Sequence, residues 1–157
     1  MNERVRERLA WEPSPALHRR IRRLWVRHAI AEDRRDIAGL LSTLAEDCVY
    51  HIVPTGQRWE GHAGARAFYE TFLGAFPDVT FALADIVVGP QGVIEIARMQ
   101  GTHQGTWAGI AATGRQVDCW IVIHFPWDHE AGKFAGEDIY FDLAELSRQL
   151  GVAPAGA

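Results

Sequence analysis

The chain has 157 residues, of which 48% are hydrophobic and 23% charged, and its formal net charge at pH 7 is −4. This composition is typical of one soluble globular domain that can bury a core and still enclose a cavity. No run approaches the roughly 20 apolar residues of a membrane helix. The N-terminus carries acids among its arginines and lacks the apolar stretch of a secretory signal. We therefore expect a cytoplasmic protein.

Positive charge is concentrated at the N-terminus. The first 27 residues hold eight arginines and three acids, a net charge of about +5, which leaves about −9 for the remainder. Such a segment can meet nucleic acid or an anionic surface. Alternatively, its arginines form the solvated face of an amphipathic helix and pair with acids of the body. The acidic remainder argues against nucleic acid, and we expect neither nucleic acid nor a membrane as a partner.

The first half of the sequence has a helical period. Residues 1–13 show no clear periodicity and are expected to form an N-terminal arm. Ser14 and Pro15 are a typical helix start, and apolar residues recur after them at helical spacing. The elements expected next are a short helix at 33–45, a strand at 48–53, a short partner strand at 57–60 and a helix at 62–75.

After Pro77 the period of the apolar residues changes to two. Strands are expected at 79–88, 93–103, 116–127 and 133–141. Their short connections indicate an antiparallel meander. Asp142 followed by Glu145 resembles a capping box that opens a final helix. The order of elements predicts one α+β domain over 14–152, a tail at 153–157, and a cavity between helices and sheet in which a small ligand binds.

Four stretches of the sequence carry a family resemblance. They are Ala75-Phe-Pro-Asp-Val79, Gly101-Thr-His-Gln-Gly105, Ala112-Thr-Gly-Arg115, and Gly136-Glu-Asp-Ile-Tyr-Phe-Asp142 leading to Arg148-Gln-Leu-Gly151. In this order and at these separations they resemble the SnoaL-like polyketide cyclases of the NTF2-like superfamily, over about residues 20–152. The resemblance implies an NTF2-like cone, in which N-terminal helices pack on the concave face of a curved antiparallel sheet. It also implies a homodimer formed through the outer face of the sheet.

The activity that the resemblance implies is a cofactor-free intramolecular aldol closure with a carboxylate as acid and base. It places Asp142 at the acid/base aspartate of the cyclases and His124 at a histidine near it. A carboxylate in a pocket wall can act as the base, yet helix capping alone would select the same aspartate, and both roles stay open. His124 shares a strand face with Asp118 and Trp120, opposite an apolar face. This mixed face can line the cavity or face solvent and a dimer partner.

The remaining candidate site residues are predicted ligand contacts. They are His51, Tyr69, His103, Trp107, Asp118, Trp120, Glu137 and Tyr140. The tryptophans can stack on a flat aromatic ligand or pack as ordinary core and dimer residues. Strand parity puts Glu137 and Tyr140 on opposite faces unless a bulge intervenes.

Missing motifs narrow the function further. No Gly-x-Ser-x-Gly, GxGxxG or P-loop pattern occurs, so neither a serine nucleophile nor nucleotide binding has support. Cys48 and Cys119 are interpreted as buried, and residues 128–130 as a solvated turn, so we expect no metal and no cofactor.

The favoured function is therefore a cofactor-independent acid/base enzyme that acts on a hydrophobic, carbonyl-bearing small molecule. Aldol cyclisation is the reaction that the resemblance supports best. One alternative is an isomerase or dehydratase that uses the same base. The other is a non-catalytic, dimeric module that binds a small ligand, in which Asp142 serves only as a cap.

Overall fold

In the computed structural model, residues 1–152 are described and form five helices and six strands. In chain order these are α1 (Glu3–Leu9), α2 (Pro15–Asp33), α3 (Ile37–Ser42), β1 (Leu44–Ile52), β2 (Gln57–Glu60), α4 (Gly61–Ala75), β3 (Thr80–Gly89), β4 (Gly92–Thr102), β5 (Gln116–Asp128), β6 (Lys133–Phe141) and α5 (Leu143–Leu150). The tail expected at 153–157 lies outside the described residues. None of these helices is long and apolar enough to cross a membrane.

The six strands form one curved, open sheet in the order β2-β1-β6-β5-β4-β3. The predicted meander of β3 to β6 is confirmed, because each of these strands pairs antiparallel with the next. The sheet departs from the expected antiparallel arrangement at one place, since β1 pairs with β6 in parallel. This pairing joins strands that are about 80 residues apart in the sequence. It was not predicted because the periodicity of apolar residues reports only local structure. The α+β class itself is confirmed.

Strand alternation separates an inner face from an outer face. In β5, Ile121 and Ile123 are buried beneath the helices, whereas Trp120 between its apolar neighbours is 54% exposed. The ring of His28 from α2 lies 5.3 Å from the ring of Phe125, which shows that α2 covers the same face as these isoleucines. The mixed face of β5 is therefore the outer, convex face of the sheet.

Capping side chains mark where α2 and α3 begin. The hydroxyl oxygen of Ser14 accepts the Leu17 N–H at 3.1 Å, and Pro15 takes the first helical position, as the sequence predicts. The helix expected at 33–45 is shorter than predicted. Asp36 caps it, and Leu44 already belongs to β1.

The N-terminal segment contains a helix where an irregular arm was expected. The side chain of Asn2 caps α1 by accepting the Val5 N–H at 2.9 Å. Arg8 donates to the backbone carbonyl of Gln91 at 3.1 Å, and the Gln91 amide donates back to the Arg8 carbonyl at 2.8 Å. No residue of α1 is buried, so its position depends on these tertiary contacts rather than on a periodic apolar face.

Gly136 provides a test of the β1–β6 pairing. Its φ is +124°, and a methyl group there would collide with the backbone carbonyl of Val49 on β1. We expect Gly136→Ala to lower the free energy of unfolding by about 3 kcal/mol or more. Gly74→Ala in α4 is the control, because nothing lies within 4 Å of the added methyl, and it should be neutral or stabilising by up to about 1 kcal/mol. Urea denaturation measures both, and equal stabilities would contradict the packing described for β1 and β6.

Candidate active site

An apolar cavity lies between the helices and the concave face of the sheet. Six aromatic side chains line it, and these are Phe68, Phe72, Phe76, Phe81, Trp107 and Phe141. Glu32 and Glu137 are the charged side chains in a wall that is otherwise apolar. The cavity has a volume of about 40 Å³, counted as the space that the centre of a water molecule can occupy. This volume is enough for roughly three ordered waters. A ring-sized ligand therefore requires side chains of the wall to rotate.

Glu137 stands at the centre of a buried hydrogen-bond cluster and is 3% exposed. Its Oε1 atom accepts from the Tyr50 hydroxyl at 2.7 Å and from the Tyr69 hydroxyl at 2.9 Å, and lies 3.0 Å from His28 Nε2. The two hydroxyl oxygens are 2.6 Å apart. Within residues 1–152, Oε2 has no hydrogen-bond partner. Because Glu137 lines the cavity, Oε2 is the oxygen that a ligand can reach.

The cluster is assembled from four separate elements. The parallel register sets Tyr50 of β1 directly beside Glu137 of β6. Tyr69 projects inward from α4, and His28 from α2. Burial, and next the negative charge of Glu137, raise the pKa of both tyrosines well above its ordinary value. Both phenols therefore stay protonated and remain hydrogen-bond donors to the carboxylate.

Glu32 is the second carboxyl of the cavity and is only half-buried, because its side chain faces the open space. It makes no side-chain hydrogen bond or ion pair within residues 1–152. Burial in the apolar wall raises the pKa of Glu32 well above its usual value, and the nearby carboxylates of Glu137 and Glu95 raise it further. This shift favours the protonated form of the carboxyl, which can donate a hydrogen bond.

Glu95 lies on the inner face of β4, behind the cavity wall. Burial, followed by the charge of Glu137, raises its pKa to about 7. The indole N–H of Trp25 lowers that pKa slightly, although its geometry falls short of a hydrogen bond. Three carboxyls thus share one apolar interior, and two of them have a raised pKa. Such groups are concentrated at functional sites.

The structure does not bring Asp142 and His124 together in one pocket. Asp142 is exposed and caps α5, with Oδ1 accepting the Glu145 N–H at 3.0 Å, and it does not line the cavity. His124 lies on the outer face, where its Nδ1 is 3.2 Å from Asp138 Oδ2. Burial lowers the pKa of His124, whereas the hydrogen bond to Asp138 raises it. The carboxylates that the cavity presents are instead Glu32 and Glu137.

The other predicted residues divide between the two faces of the sheet. Glu137 and Trp107 line the cavity, and Tyr69 bonds to Glu137. Tyr140 lies on the opposite face from Glu137, as strand parity predicts, because the pairing of β6 with its neighbours is regular from Glu137 to Tyr140. The outer face also carries His51, which is 3.3 Å from Asp138 Oδ1, together with Asp118 and Trp120.

His103 occupies a third position, at the rim of the sheet. Its Nδ1 lies 3.1 Å from the Thr113 hydroxyl, and its ring stacks on Phe76 at 5.1 Å. Its Nε2 is buried without a hydrogen-bond partner in the described chain. Burial lowers the pKa of His103, so the ring is neutral at pH 7. These contacts make it part of the wall behind Phe76 rather than a direct contact of the cavity.

Sequence reasoning missed several members of the site. They are His28, Glu32, Tyr50 and Glu95. A usable signal was present, because His28 recurs on the apolar stripe of α2 and Glu95 has the same strand parity as the buried Val93 and Ala97. A polar residue in the buried phase of an element is costly unless it is paired, and it therefore marks a candidate site.

Together, the curved sheet, the covering helices and the carboxylate-bearing apolar cavity define an NTF2-like pocket protein. The family model for SnoaL-like polyketide cyclase matches residues 17–150, and the chain belongs to this family. No protein of curated function matches the chain significantly.

Solved structures share the fold at low sequence identity. TsrD from Streptomyces laurentii is 25% identical with a TM-score of 0.72, and the match covers 90% of this chain and 100% of TsrD. A protein from Jannaschia sp. CCS1, provisionally described as a SnoaL-like polyketide cyclase, is 21% identical with a TM-score of 0.73 over 92% of this chain and 100% of its own. An NTF2-like protein of unknown function from Burkholderia pseudomallei K96243 is 19% identical with a TM-score of 0.69, over 83% and 97% of the two chains.

The raised pKa of Glu95 makes a prediction about stability and pH. Its pKa of about 7 in the folded state lies above the ordinary 4.5, so the folded protein binds an extra proton between these values. The unfavourable contribution is absent below about pH 4.5, grows as the pH rises and is complete above about pH 7. We expect Glu95→Gln to raise the free energy of unfolding by about 1–3 kcal/mol at pH 8 and by much less at pH 5.

Urea denaturation at the two pH values provides the measurement. Glu46→Gln on β1 is the matched control, because Glu46 is exposed and the same substitution there removes no buried charge. An equal effect of Glu95→Gln at both pH values would contradict this account of the interior carboxyls.

Proposed function

We propose that the protein is a cofactor-independent acid/base enzyme that acts on a hydrophobic, carbonyl-bearing small molecule, with intramolecular aldol cyclisation as its reaction. The observation that carries this proposal is the pair of carboxyls in one apolar cavity. Glu137 has an oxygen without a hydrogen-bond partner within residues 1–152, which can take a proton, and the raised pKa of Glu32 favours the protonated form that can donate one. The apolar remainder of the wall suits a substrate whose polar groups lie at one end.

Glu137 is the proposed base. Its Oε1 is occupied by the two phenols and His28, which leaves Oε2 to remove a proton from the carbon next to a carbonyl. The carbon atom of the resulting enolate attacks a second carbonyl of the same molecule and forms the new C–C bond. The alkoxide that results takes the proton back from Glu137. The reaction is an isomerisation overall, so it requires no redox partner.

Glu32 is the proposed hydrogen-bond donor to the enolate oxygen. A neutral carboxylic acid in an apolar site can stabilise an oxyanion because its proton is already directed at the place where charge develops. The raised pKa of Glu32 supports this role. A carboxyl that served only for packing would lower stability, because it makes no side-chain hydrogen bond or ion pair within residues 1–152 and the charge of Arg35 offsets its burial only in part.

The alternatives use the same cavity. An isomerase would return the proton from Glu137 to a different carbon, and a dehydratase would use the Glu32 proton to release hydroxide as water. A non-catalytic binding module would hold the ligand without proton transfer. The free Oε2 of Glu137 favours the enzymes over the binding module, and the identity of the product separates the enzymes from one another.

The decisive variant is Glu137→Gln, with Asp142→Asn as the matched control. Both replace a carboxylate by an amide, and Asn caps a helix nearly as well as Asp. We expect Glu137→Gln to lower kcat by ~10²–10⁴-fold, the usual contribution of a positioned base, while ligand affinity changes only a few-fold. Asp142→Asn should keep the activity and the melting temperature of the unmodified protein.

Turnover of a panel of β-keto-esters and diketones, followed by NMR of the products, provides the measurement. Loss of activity in Asp142→Asn but not in Glu137→Gln would restore the assignment expected from the sequence. Binding of the panel without turnover by any form of the protein would favour the binding module.

We also propose that the protein forms a homodimer through the outer face of the sheet. Tyr140, Val122 and Ile96 lie side by side across β6, β5 and β4. Trp120 is 54% exposed and Val87 57% exposed on the same face. An apolar surface spread over four strands is unusual for a monomer.

Light scattering tests the homodimer. We expect a mass of about twice the 17.5 kDa of one chain at micromolar concentration. Trp120→Glu should shift the mass to that of one chain, because it buries a charge in the proposed interface. Leu9→Glu is the control, since Leu9 is an exposed apolar residue on α1. A monomeric mass for the unmodified protein would rule out the dimer.

A further inference from the structure

Thr43 is a fully buried hydroxyl behind the cavity, at the C-terminal end of α3. Its Oγ1 atom is 2.6 Å from the carbonyl oxygen of Leu40 and 2.7 Å from His28 Nδ1. A carbonyl oxygen only accepts, so the single hydroxyl hydrogen of Thr43 must point to Leu40. The lone pairs of Oγ1 then face His28, and the contact with His28 is a hydrogen bond only if Nδ1 carries a hydrogen.

The opposite side of the His28 ring also requires a hydrogen. Nε2 is 3.0 Å from Glu137 Oε1 and 3.1 Å from the Tyr69 hydroxyl. A bare ring nitrogen and a carboxylate oxygen would repel each other at this distance, because both present lone pairs. Five contacts link the side chains of Tyr50, Tyr69, Glu137 and His28, and the two phenols supply only two hydrogens for them. A third hydrogen on Nε2 accounts for the contact between the ring and the carboxylate.

We propose that Thr43 is a positioning residue that holds His28 as a doubly protonated imidazolium, which serves as the counter-ion of Glu137. His28 is 1% exposed and Glu137 3% exposed, so neither charge is solvated by bulk water. A buried carboxylate without a counter-charge would take up a proton. The acceptor oxygen of Thr43 thus keeps Glu137 ionised through His28.

This inference rests on the proposed function for its catalytic consequence, but not for its structural content. In the reaction, the imidazolium keeps Oε1 occupied and leaves Oε2 unprotonated toward the cavity. Thr43 touches neither the cavity nor the substrate and acts through His28 alone. Its effect should therefore fall on kcat rather than on KM.

The structural part is tested by NMR on protein labelled with ¹⁵N at histidine, in the absence of any ligand. The resonances of His28 are identified by their loss in His28→Gln. At pH 7 we expect both ring nitrogens of His28 to give protonated, pyrrole-type shifts. Thr43→Val has almost the same shape but no acceptor, and it should convert Nδ1 to an unprotonated, pyridine-type nitrogen. Thr43→Ser retains the acceptor and should keep both hydrogens.

The catalytic part is tested by the turnover of the same variants. Loss of an outer partner that orients a metal-bound histidine typically costs about 10–100-fold in activity. We expect an effect of the same order for a histidine that holds a base, so kcat of Thr43→Val should fall by at least about tenfold with KM within a few-fold. Thr43→Ser should restore most of the activity. A general loss of fold would lower the melting temperature of both variants and would not distinguish Val from Ser.

Three results would overturn the inference. A pyridine-type nitrogen on His28 in the unmodified protein would show that the ring is not an imidazolium. An unchanged His28 spectrum in Thr43→Val would show that Thr43 does not hold the proton. Unchanged kcat in a Thr43→Val protein with the altered spectrum would remove Thr43 from catalysis.

If Thr43→Val fails to fold, Thr43→Ala removes the same acceptor. If no substrate is turned over, the spectra still decide the structural part.

Discussion

The parallel pairing of β1 with β6 is the constraint on which the candidate site depends. It sets Tyr50 beside Glu137, so that a phenol from one strand and a carboxylate from the other point into the same interior. Gly136 permits the close approach, because any side chain there would meet the backbone of β1. The strand pairing thus determines the position of the Glu137 carboxylate, and the helices α4 and α2 place Tyr69 and His28 around it. A shift of one residue in this register would turn either Tyr50 or Glu137 to the outer face.

The interior of the protein contains three carboxyl groups, although the packing of an apolar core requires none. Glu137 raises the pKa of both Glu32 and Glu95, and Glu95 also raises the pKa of Glu32, through a medium with little water. Among them, within residues 1–152, only Glu137 has direct side-chain hydrogen-bond contacts, which come from two phenols and a histidine. In the proposed function, the environment thus differentiates chemically identical groups into an acceptor and a donor of protons. This separation of roles between like groups is a general device of acid/base sites.

The sequence predicted the local elements well, because their causes are local. The Ser14 cap opens α2 where expected, and β6 has the predicted bounds, because capping and alternation are read from neighbouring residues. The helix at α1 was not predicted, because its position depends on contacts with Gln91, far along the chain. The parallel β1–β6 pair was missed for the same reason.

The candidate site was predicted only in part. Glu137, Tyr69 and Trp107 were named, but the partners that give Glu137 its chemistry come from α2 and β1. His28 recurs at the spacing of the apolar residues of α2, and this spacing agrees with its burial. Periodicity cannot show that a buried histidine meets a carboxylate on a distant strand. That information lies in the tertiary register alone.

Asp142 and Glu137 differ in how far local structure accounts for a carboxylate at their positions. Both residues belong to the same motif and are five positions apart. Asp142 satisfies the requirement for a cap at the start of α5, and this requirement holds wherever a helix follows a strand at this point. Glu137 satisfies no local requirement, since a charged residue in the buried phase of a central strand is unfavourable by itself. The capping role of Asp142 is sufficient to account for an aspartate at that position. A glutamate that is unfavourable in its own strand must instead be accounted for by contacts with other elements or by function. By this criterion the carboxylate of β6, together with the histidine and the phenols around it, is the stronger candidate for the chemistry of the cavity.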